Sequence, residues 1–376
     1  MINRKLSQVI EEKMFGQKTI LLLGARQVGK TTLLKKLQEK LNLPTLFLNA
    51  DLPVVRERLS NVGAEDLKSL LGENKIVIID EAQRIKNIGI TLKIIHENFP
   101  EIQLIATGSS ALELSNQINE PLTGRKWEFQ MFPISWAELV NSSNLFEAFD
   151  QLESRLLFGM YPAVLNNAGS ERETLYELSG SYLYKDLLSY QGIRKPQILE
   201  KLLTALAFQI GSEVSYNELS RTLEIDKATV ENYISLLEKA FVIFRLNPLS
   251  RNLRNEINTS RKIYFYDNGI RNAIIDNFSP VALRTDIGAL WENFLISERM
   301  KRNQNERIFV KKYFWRNHAQ QEIDYIEEKD GQINAYEFKW NPKAKAKFSN
   351  AFVEAYKPAN LKIISTENFN DFLQNA

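Results

Sequence analysis

Three short apolar runs stand out in the first third of the chain, at 19–23, 75–79 and 103–106. Each is continuous rather than alternating, which predicts strands covered on both faces. After the first run, Leu33, Leu34, Leu37 and Leu41 recur at helical spacing. Strands alternating with helical stretches predict a doubly wound α/β layer around a parallel sheet. From about Leu145 to Ala240 the pattern turns helical, over 145–158, 171–189 and 198–210. Segments 214–225 and 226–240 then read as two helices joined by a tight turn, the second presenting Val230, Ile234 and Leu237 on one face. That is a helix-turn-helix pattern, and 241–246 with 262–266 supply the strands of a wing. A further amphipathic helix falls at 288–302. The fold class expected is α/β, in three modules: an α/β sheet domain over 1–140, a helical region with a winged helix over 141–280, and a smaller α/β module over 281–376.

Composition narrows the chemistry. The chain has 376 residues, too many for one core, with 44% hydrophobic and 25% charged residues, an ordinary globular balance. It has no Cys and only two His, which excludes disulfides, thiolate zinc, iron–sulfur clusters and thiol nucleophiles. Metal chemistry then rests on carboxylate and phosphate oxygens, the ligands of Mg²⁺. The charged amphipathic start lacks an apolar signal core, and no stretch approaches the roughly 18 apolar residues of a membrane span. A cytoplasmic protein without a membrane partner is expected. The formal net charge of +2 is a sum of unlike parts: residues 1–244 hold 27 Lys/Arg against 30 Asp/Glu, and residues 245–376 hold 21 against 16. A basic C-terminal third points to DNA as a partner.

The strongest motif follows the first strand. Gly24, Ala25, Arg26, Gln27, Val28, Gly29, Lys30, Thr31 and Thr32 spell G-x-x-x-x-G-K-T between a strand and a helix. Small residues let backbone N–H groups wrap phosphate oxygens while a helix N-terminus is aimed at them. ATP is the expected nucleotide, with Lys30 on its β/γ-phosphates and the Thr31 hydroxyl on Mg²⁺. The second strand ends in Asp80-Glu81, placed next to the first: Asp80 is the expected metal ligand and Glu81 the general base. The third ends in Thr107-Gly108-Ser109-Ser110. Thr107 either senses the γ-phosphate or positions water, while Ser109 or Ser110 equally suits a helix N-cap. Arg125 reads either as an arginine finger, in its own chain or a neighbouring subunit, or as a surface arginine.

Two surfaces of the middle module could meet a polyanion. The second helix of the helix-turn-helix offers Lys227, Thr229, Asn232 and Ser235, diluted by Asp226, Glu231 and Glu238. The wing, with Arg245, Arg251, Arg254, Arg261 and Lys262 against Glu256, is the stronger phosphate-contacting surface, the alternative being a solvated loop or a protein-docking face. Beyond it, 322–340 reads as a β-hairpin turning at Asp330-Gly331. Facing residues then sum to 661, setting Asp324 opposite Glu337 and Glu322 opposite Lys339. Strict alternation puts these four on one face and Ile323, Tyr325, Tyr336, Phe338 and Trp340 on the other. Opposed carboxylates repel unless a cation lies between them, so Asp324 and Glu337 form a candidate Mg²⁺ site with Lys339 positioning the nucleophile or neutralising charge. The alternative is a solvated hairpin with a Glu322–Lys339 ion pair.

The carboxylates resemble the PD-(D/E)XK nuclease superfamily, with Asp324 as its Asp and Glu337-Phe338-Lys339 as its acid-x-Lys; Ile323 replaces the usual proline. That resemblance implies Glu292 as a further metal ligand. Together, the P-loop, Ile79-Asp-Glu-Ala-Gln83, Ala106-Thr-Gly-Ser-Ser110, Thr123-Gly-Arg125 and Lys262-Ile-Tyr-Phe-Tyr-Asp267-Asn-Gly269 are similar to a widespread prokaryotic family of AAA-superfamily ATPases whose C-terminal half is a domain of unknown function. The resemblance implies ATP binding and hydrolysis, a winged helix and a restriction-endonuclease-like end. Two readings follow. One is a Mg²⁺-dependent ATPase coupling nucleotide state to DNA engagement, with or without cleavage. The other is a nucleotide-controlled switch or scaffold for a protein partner, with an inert nuclease-like end. A homo-oligomer is compatible with both.

Overall fold

The structure, a computed structural model, describes residues 2–109, 118, 120–183, 195–250 and 261–374. They divide into two compact units, one of Met1–Pro133 with Lys239–Phe241 and one of Ile134–Glu238 with Val242–Ala376.

The first unit is built on β1 (Thr19–Leu23), β2 (Thr45–Asn49), β3 (Ile76–Asp80), β4 (Gln103–Gly108) and β5 (Lys126–Gln130), ordered β2-β3-β4-β1-β5 with every pair parallel. β1, β3 and β4 are buried at every residue, which is why their sequences are unbroken apolar runs. β2 and β5 are edge strands, only partly buried, and the apolar-run pattern passes over them. The order corrects one expectation. β4 lies between β1 and β3, so the strand carrying Asp80 is not the direct neighbour of the P-loop strand. The helix Lys30–Leu41 follows β1 and buries Leu33, Leu34 and Leu37, so the glycine loop is fixed at both ends by packed elements.

The second unit holds a seven-stranded mixed sheet of β6 (Glu213–Val214), β7 (Ile243–Pro248), β8 (Arg261–Phe265), β9 (Lys311–Arg316), β10 (Glu322–Lys329), β11 (Gln332–Phe338) and β12 (Asn360–Ile364), in the order β12-β11-β10-β9-β7-β8-β6. Strands from 141–280 and from 281–376 therefore share one sheet. The join is a parallel pairing of β7 with β9, Asn247 opposite Tyr313 and Pro248 opposite Phe314. β8 satisfies only one edge of β7, and β9 takes the other. Ahead of this sheet come helices Leu145–Asp150 and Leu152–Phe158 in place of one unbroken stretch, then Glu171–Glu177 and Pro196–Phe208. Helices Tyr216–Thr222 and Lys227–Lys239 sit between β6 and β7.

The helix Ile287–Asn305 forms the centre of the second unit. Besides Leu290, Trp291, Phe294 and Leu295 it buries Asn293, Glu298, Arg299, Lys301 and Arg302, so it is enclosed rather than amphipathic. Several of its polar side chains have specific partners. Asn293 exchanges two hydrogen bonds with the Phe265 backbone. Glu298 accepts from Trp136 N and from Lys301 Nζ, both at 2.6 Å. Nearby, Asp267 accepts from Met160 N at 2.7 Å and caps the helix Asn268–Ile274 through Ile270 N. Gly269 lets that helix approach: a Cβ there would stand 2.1 Å from the Phe158 carbonyl oxygen.

The hairpin register matches the expected sum. Tyr325 pairs with Tyr336 and Lys329 with Gln332, and Asp330 and Gly331 both take positive φ, as a type I′ turn requires. The expected faces do not hold throughout. A bulge in β10 between Ile323 and Ile326 turns Ile323 toward Trp315, Ile326, Ala335 and Phe352. Tyr325 instead joins the rings of Tyr336, Phe338 and Phe372. Asp324 lies inside this bulge, the kind of irregularity that re-aims a side chain.

Candidate functional site

At the C-terminal ends of β1, β3 and β4, five side chains from three segments meet. Gly24 begins the loop where β5 passes close by: a Cβ would lie 2.1 Å from the Met131 carbonyl oxygen. Gly29, at φ 100°, opens the helix Lys30–Leu41 in a conformation that L side chains rarely adopt. The buried Lys30 ammonium donates to the carbonyls of Gly24 at 2.7 Å and Ala25 at 3.0 Å. Thr31 Oγ1 donates to Asp80 Oδ2 at 2.8 Å, spanning the intervening strand β4. Thr107 Oγ1 donates to Asp80 Oδ1 at 2.5 Å and accepts from Glu81 N at 3.0 Å. Glu81 takes a left-handed backbone, φ 55°, with Oε1 3.9 Å from Lys30 Nζ. A strained non-glycine residue at a strand end is held by its surroundings rather than by its own preference. Thr31 and Asp80 are adjacent oxygen donors at a helix N-terminus, a donor set that fits Mg²⁺. Ala25, Arg26, Gln27, Val28 and the exposed Thr32 complete the loop beside them.

Two further residues belong to this constellation without having been assigned from sequence. Gln83 Nε2 donates to Glu81 Oε2 at 2.7 Å and to Ser109 Oγ at 2.9 Å. Its place two residues after Glu81 was the available signal. Ser109 is thus tied to Gln83, and Ser110 lies outside the described residues. Arg4 donates through Nη1 to Val28 O and through Nη2 to Phe132 O, both at 2.6 Å. It buttresses the loop from 24 and 128 residues away, a contact that no local pattern announces.

Arg125 is not brought to the site. It precedes β5, whose first residue pairs with Thr19 at the start of β1. The length of a five-residue strand, about 15 Å, separates it from the loop at the other end. There it pairs with Glu97 at 3.1 Å, so it does not serve the nucleotide site of its own chain.

In the second unit Glu292, Glu322, Asp324 and Glu337 gather with Lys262 and Lys339. Lys262 Nζ contacts Glu292 Oε1 at 3.0 Å and also pairs with Glu322. Tyr264 OH donates to the same Glu292 oxygen at 2.6 Å. Lys339 Nζ lies 3.0 Å from Glu337 and 4.0 Å from Asp324, whose Oδ2 also accepts from Phe338 N at 2.7 Å. Burial, with the charge of Asp324 added, pushes Glu292 and Glu337 up to about 7. Burial likewise raises Asp324 against the pull of Lys262. The residues do not fit the expected Mg²⁺ site. Two ammonium groups already divide the carboxylates, and among the described residues no three His, Cys, Asp or Glu side chains converge to hold an ion.

Part of the expected polyanion surface is internal or already paired. Arg245 pairs with Glu238. Lys262 is buried, and Arg261 lies over the Tyr216 ring; Arg251, Arg254 and Glu256 lie outside the described residues. On the helix Ile287–Asn305, Arg299 pairs with Glu327, Lys301 with Glu298 and Arg302 with Glu306, all three basic residues being buried, whereas Lys311 on β9 is exposed. On the helix Lys227–Lys239, Lys227 and Asn232 are exposed, while Thr229 is held by its own N-cap, Asp226.

Residues 16–140 match the AAA domain family. Residues 149–281 match a domain of unknown function (DUF8612), and 287–375 another (DUF4143). The chain is similar to an uncharacterized protein of Mycobacterium tuberculosis, 27% identical over 85% of this chain and 70% of that one. An uncharacterized protein of Methanocaldococcus jannaschii is 26% identical over 78% and 69%. Among solved structures, the Thermotoga maritima RuvB Holliday junction branch migration motor aligns over 64% of this chain and 87% of that one, at 18% identity and TM-score 0.31. The Pif1 helicase from Candida albicans aligns over 48% of each, at 16% identity and TM-score 0.27. The first unit is thus an AAA-type P-loop domain within a mixed α/β chain. Among the described residues no helix is long and apolar enough to cross a membrane.

Proposed function

We propose that the chain is a Mg²⁺-dependent ATP hydrolase whose nucleotide state governs engagement of DNA by its second unit. The convergence of Lys30, Thr31, Asp80, Glu81 and Thr107 on one loop carries the hydrolytic part. Lys30 exchanges the Gly24 and Ala25 carbonyls for β/γ-phosphate oxygens, and the loop N–H groups take the remaining phosphate charge. Thr31 and Asp80 would hold the Mg²⁺, which would supply neutralising charge to the phosphates. Glu81 accepts the proton of the attacking water, Gln83 orients that carboxylate, and Thr107 fixes the Asp80 oxygen beside it. Arg125 serves as an arginine finger only for the nucleotide of a neighbouring copy.

The DNA part is supported by the order strand, helix, helix, hairpin over 213–265 and by the exposed Lys227 and Asn232. It takes the form of a winged helix with Lys227–Lys239 as the groove-facing element. A salt-titrated anisotropy assay with duplex DNA tests it. Affinity should fall steeply as salt rises, with a log–log slope of about −0.9 per phosphate contact, and should differ between ATP-bound and nucleotide-free protein. No affinity at low salt, with or without ATP, refutes DNA engagement while leaving ATP hydrolysis intact. The burial and pairing of Arg299, Lys301 and Arg302 favour a second reading, a nucleotide-controlled switch for a protein partner.

A further inference from the structure

The carboxylate cluster of the second unit has an unusual companion in Lys262. Its side chain is 1% exposed, and it lies on β8, a strand paired on both edges. Its backbone stands opposite Glu213 of β6 and Leu246 of β7, so the lysine cannot be shifted without moving the sheet. A buried ammonium is costly unless carboxylates compensate it. Here Glu292 comes from the central helix and Glu322 from β10, both in direct contact. Asp324 acts on it through charge, and the ring of Phe314 lies 5.6 Å away. Tyr264 occupies the same Glu292 oxygen as the ammonium. The second Glu292 oxygen faces the closely packed Gly211, where a Cβ would lie 3.5 Å away.

The arrangement has the charge pattern of a divalent-cation site with the cation supplied by the chain. Glu292 and Glu322 come from separate elements and converge on one positive centre. Asp324 and Glu337 are drawn aside to Lys339. A metal ion needs several of these oxygens at about 2.1 Å in octahedral array. Lys262 holds two of the four carboxylates at ordinary ion-pair geometry, and desolvated carboxylates cannot serve both partners.

We propose that Lys262 is the resident cation of this cluster, a tethered ammonium in the place of a metal, and that the intact chain binds no divalent ion there. Glu292 and Glu322, with Asp324 beside them, form a latent site of oxygen-ligand, Mg²⁺/Mn²⁺ type, exposed only when the ammonium is removed. This inference concerns the second unit and does not depend on ATP hydrolysis in the first. It also separates the hairpin from metal-dependent DNA cleavage.

The test is Mn²⁺ titration of the full-length chain, without nucleotide, followed by electron paramagnetic resonance. Wild-type protein and Asp324→Asn should bind Mn²⁺ identically. Lys262→Met keeps the aliphatic volume and removes the charge; it should gain a site at least tenfold tighter than any in wild type, lost again in Lys262→Met/Asp324→Asn. A wild-type Mn²⁺ site that Asp324→Asn abolishes would overturn the proposal. So would a Lys262→Met protein of unchanged circular dichroism that gains no site. If Lys262→Met does not fold, the wild-type comparison still decides whether the intact chain holds a divalent ion in the cluster.

Discussion

Lys30→Ala is expected to lower ATP turnover by a factor of about 10² to 10³ or more while the protein remains folded. The ammonium is held within the loop by the Gly24 and Ala25 carbonyls, poised to turn toward phosphate oxygens. Removing one preorganised donor from a site where negative charge develops costs about 3–4 kcal/mol in the transition state. The Lys30 stem adds only a short aliphatic segment to packing dominated by Leu33, Leu34 and Leu37, so the melting temperature should move by no more than a few degrees. Steady-state phosphate release together with far-UV circular dichroism checks both halves. Turnover within threefold of wild type would remove the P-loop assignment.

The second large effect lies in the second unit, where Arg299→Met should destabilise the fold by about 3–5 kcal/mol. The guanidinium makes a bidentate pair with Glu327, Nε to Oε1 at 3.1 Å and Nη2 to Oε2 at 2.9 Å, and donates from Nη1 to Phe372 O at 2.5 Å. Both side chains are almost fully buried. Removing the arginine leaves a buried carboxylate whose remaining partners are Asn303 and Tyr325. Arg299→Met/Glu327→Leu should recover most of the loss, because the uncompensated charge is gone. Urea denaturation followed by tryptophan fluorescence suits the test, since Trp136, Trp291, Trp315 and Trp340 lie in this unit and Trp127 in the other. An Arg299→Met protein as stable as wild type would show that the pair contributes nothing.

A pH dependence follows from the same pair. Burial alone would push the Glu327 carboxyl up, but the Arg299 guanidinium holds it below the usual range. A depressed folded-state value means that the pair stabilises the fold above the unfolded carboxyl range, near pH 4. That contribution is lost as pH falls through the folded-state value.

The parts of this architecture that were legible in the sequence are those fixed by local chemistry. β1, β3 and β4 are covered on both faces, so an apolar run marks each; β2 and β5 carry no such mark because they are half-exposed edges. The glycine loop and Asp80-Glu81 are contiguous motifs, and the fold brings them together at the strand ends with β4 interposed. Arg4 and Arg125 illustrate the limit: Arg4 is placed by tertiary contacts with Val28 and Phe132 and Arg125 by strand order, neither of which local spacing contains. The basic surplus of the last third is only partly a surface property, for a different reason. Charge counts do not distinguish Lys311, on the surface, from Arg299, Lys301 and Lys262, which are neutralised inside. The hairpin register followed from its turn, whereas the faces did not, because one bulge at Asp324 changes the parity that alternation assumes.

The central claim, that Glu81 activates water at a nucleotide held by Lys30, Thr31 and Asp80, is tested most directly by Glu81→Gln. ATP binding and phosphate release should both be measured on the full-length protein with Mg²⁺. The expected result is ATP affinity close to wild type with turnover reduced about 10² to 10⁴-fold, as loss of a general base produces. Wild-type turnover in Glu81→Gln, or a wild-type chain that binds no ATP, would contradict the account.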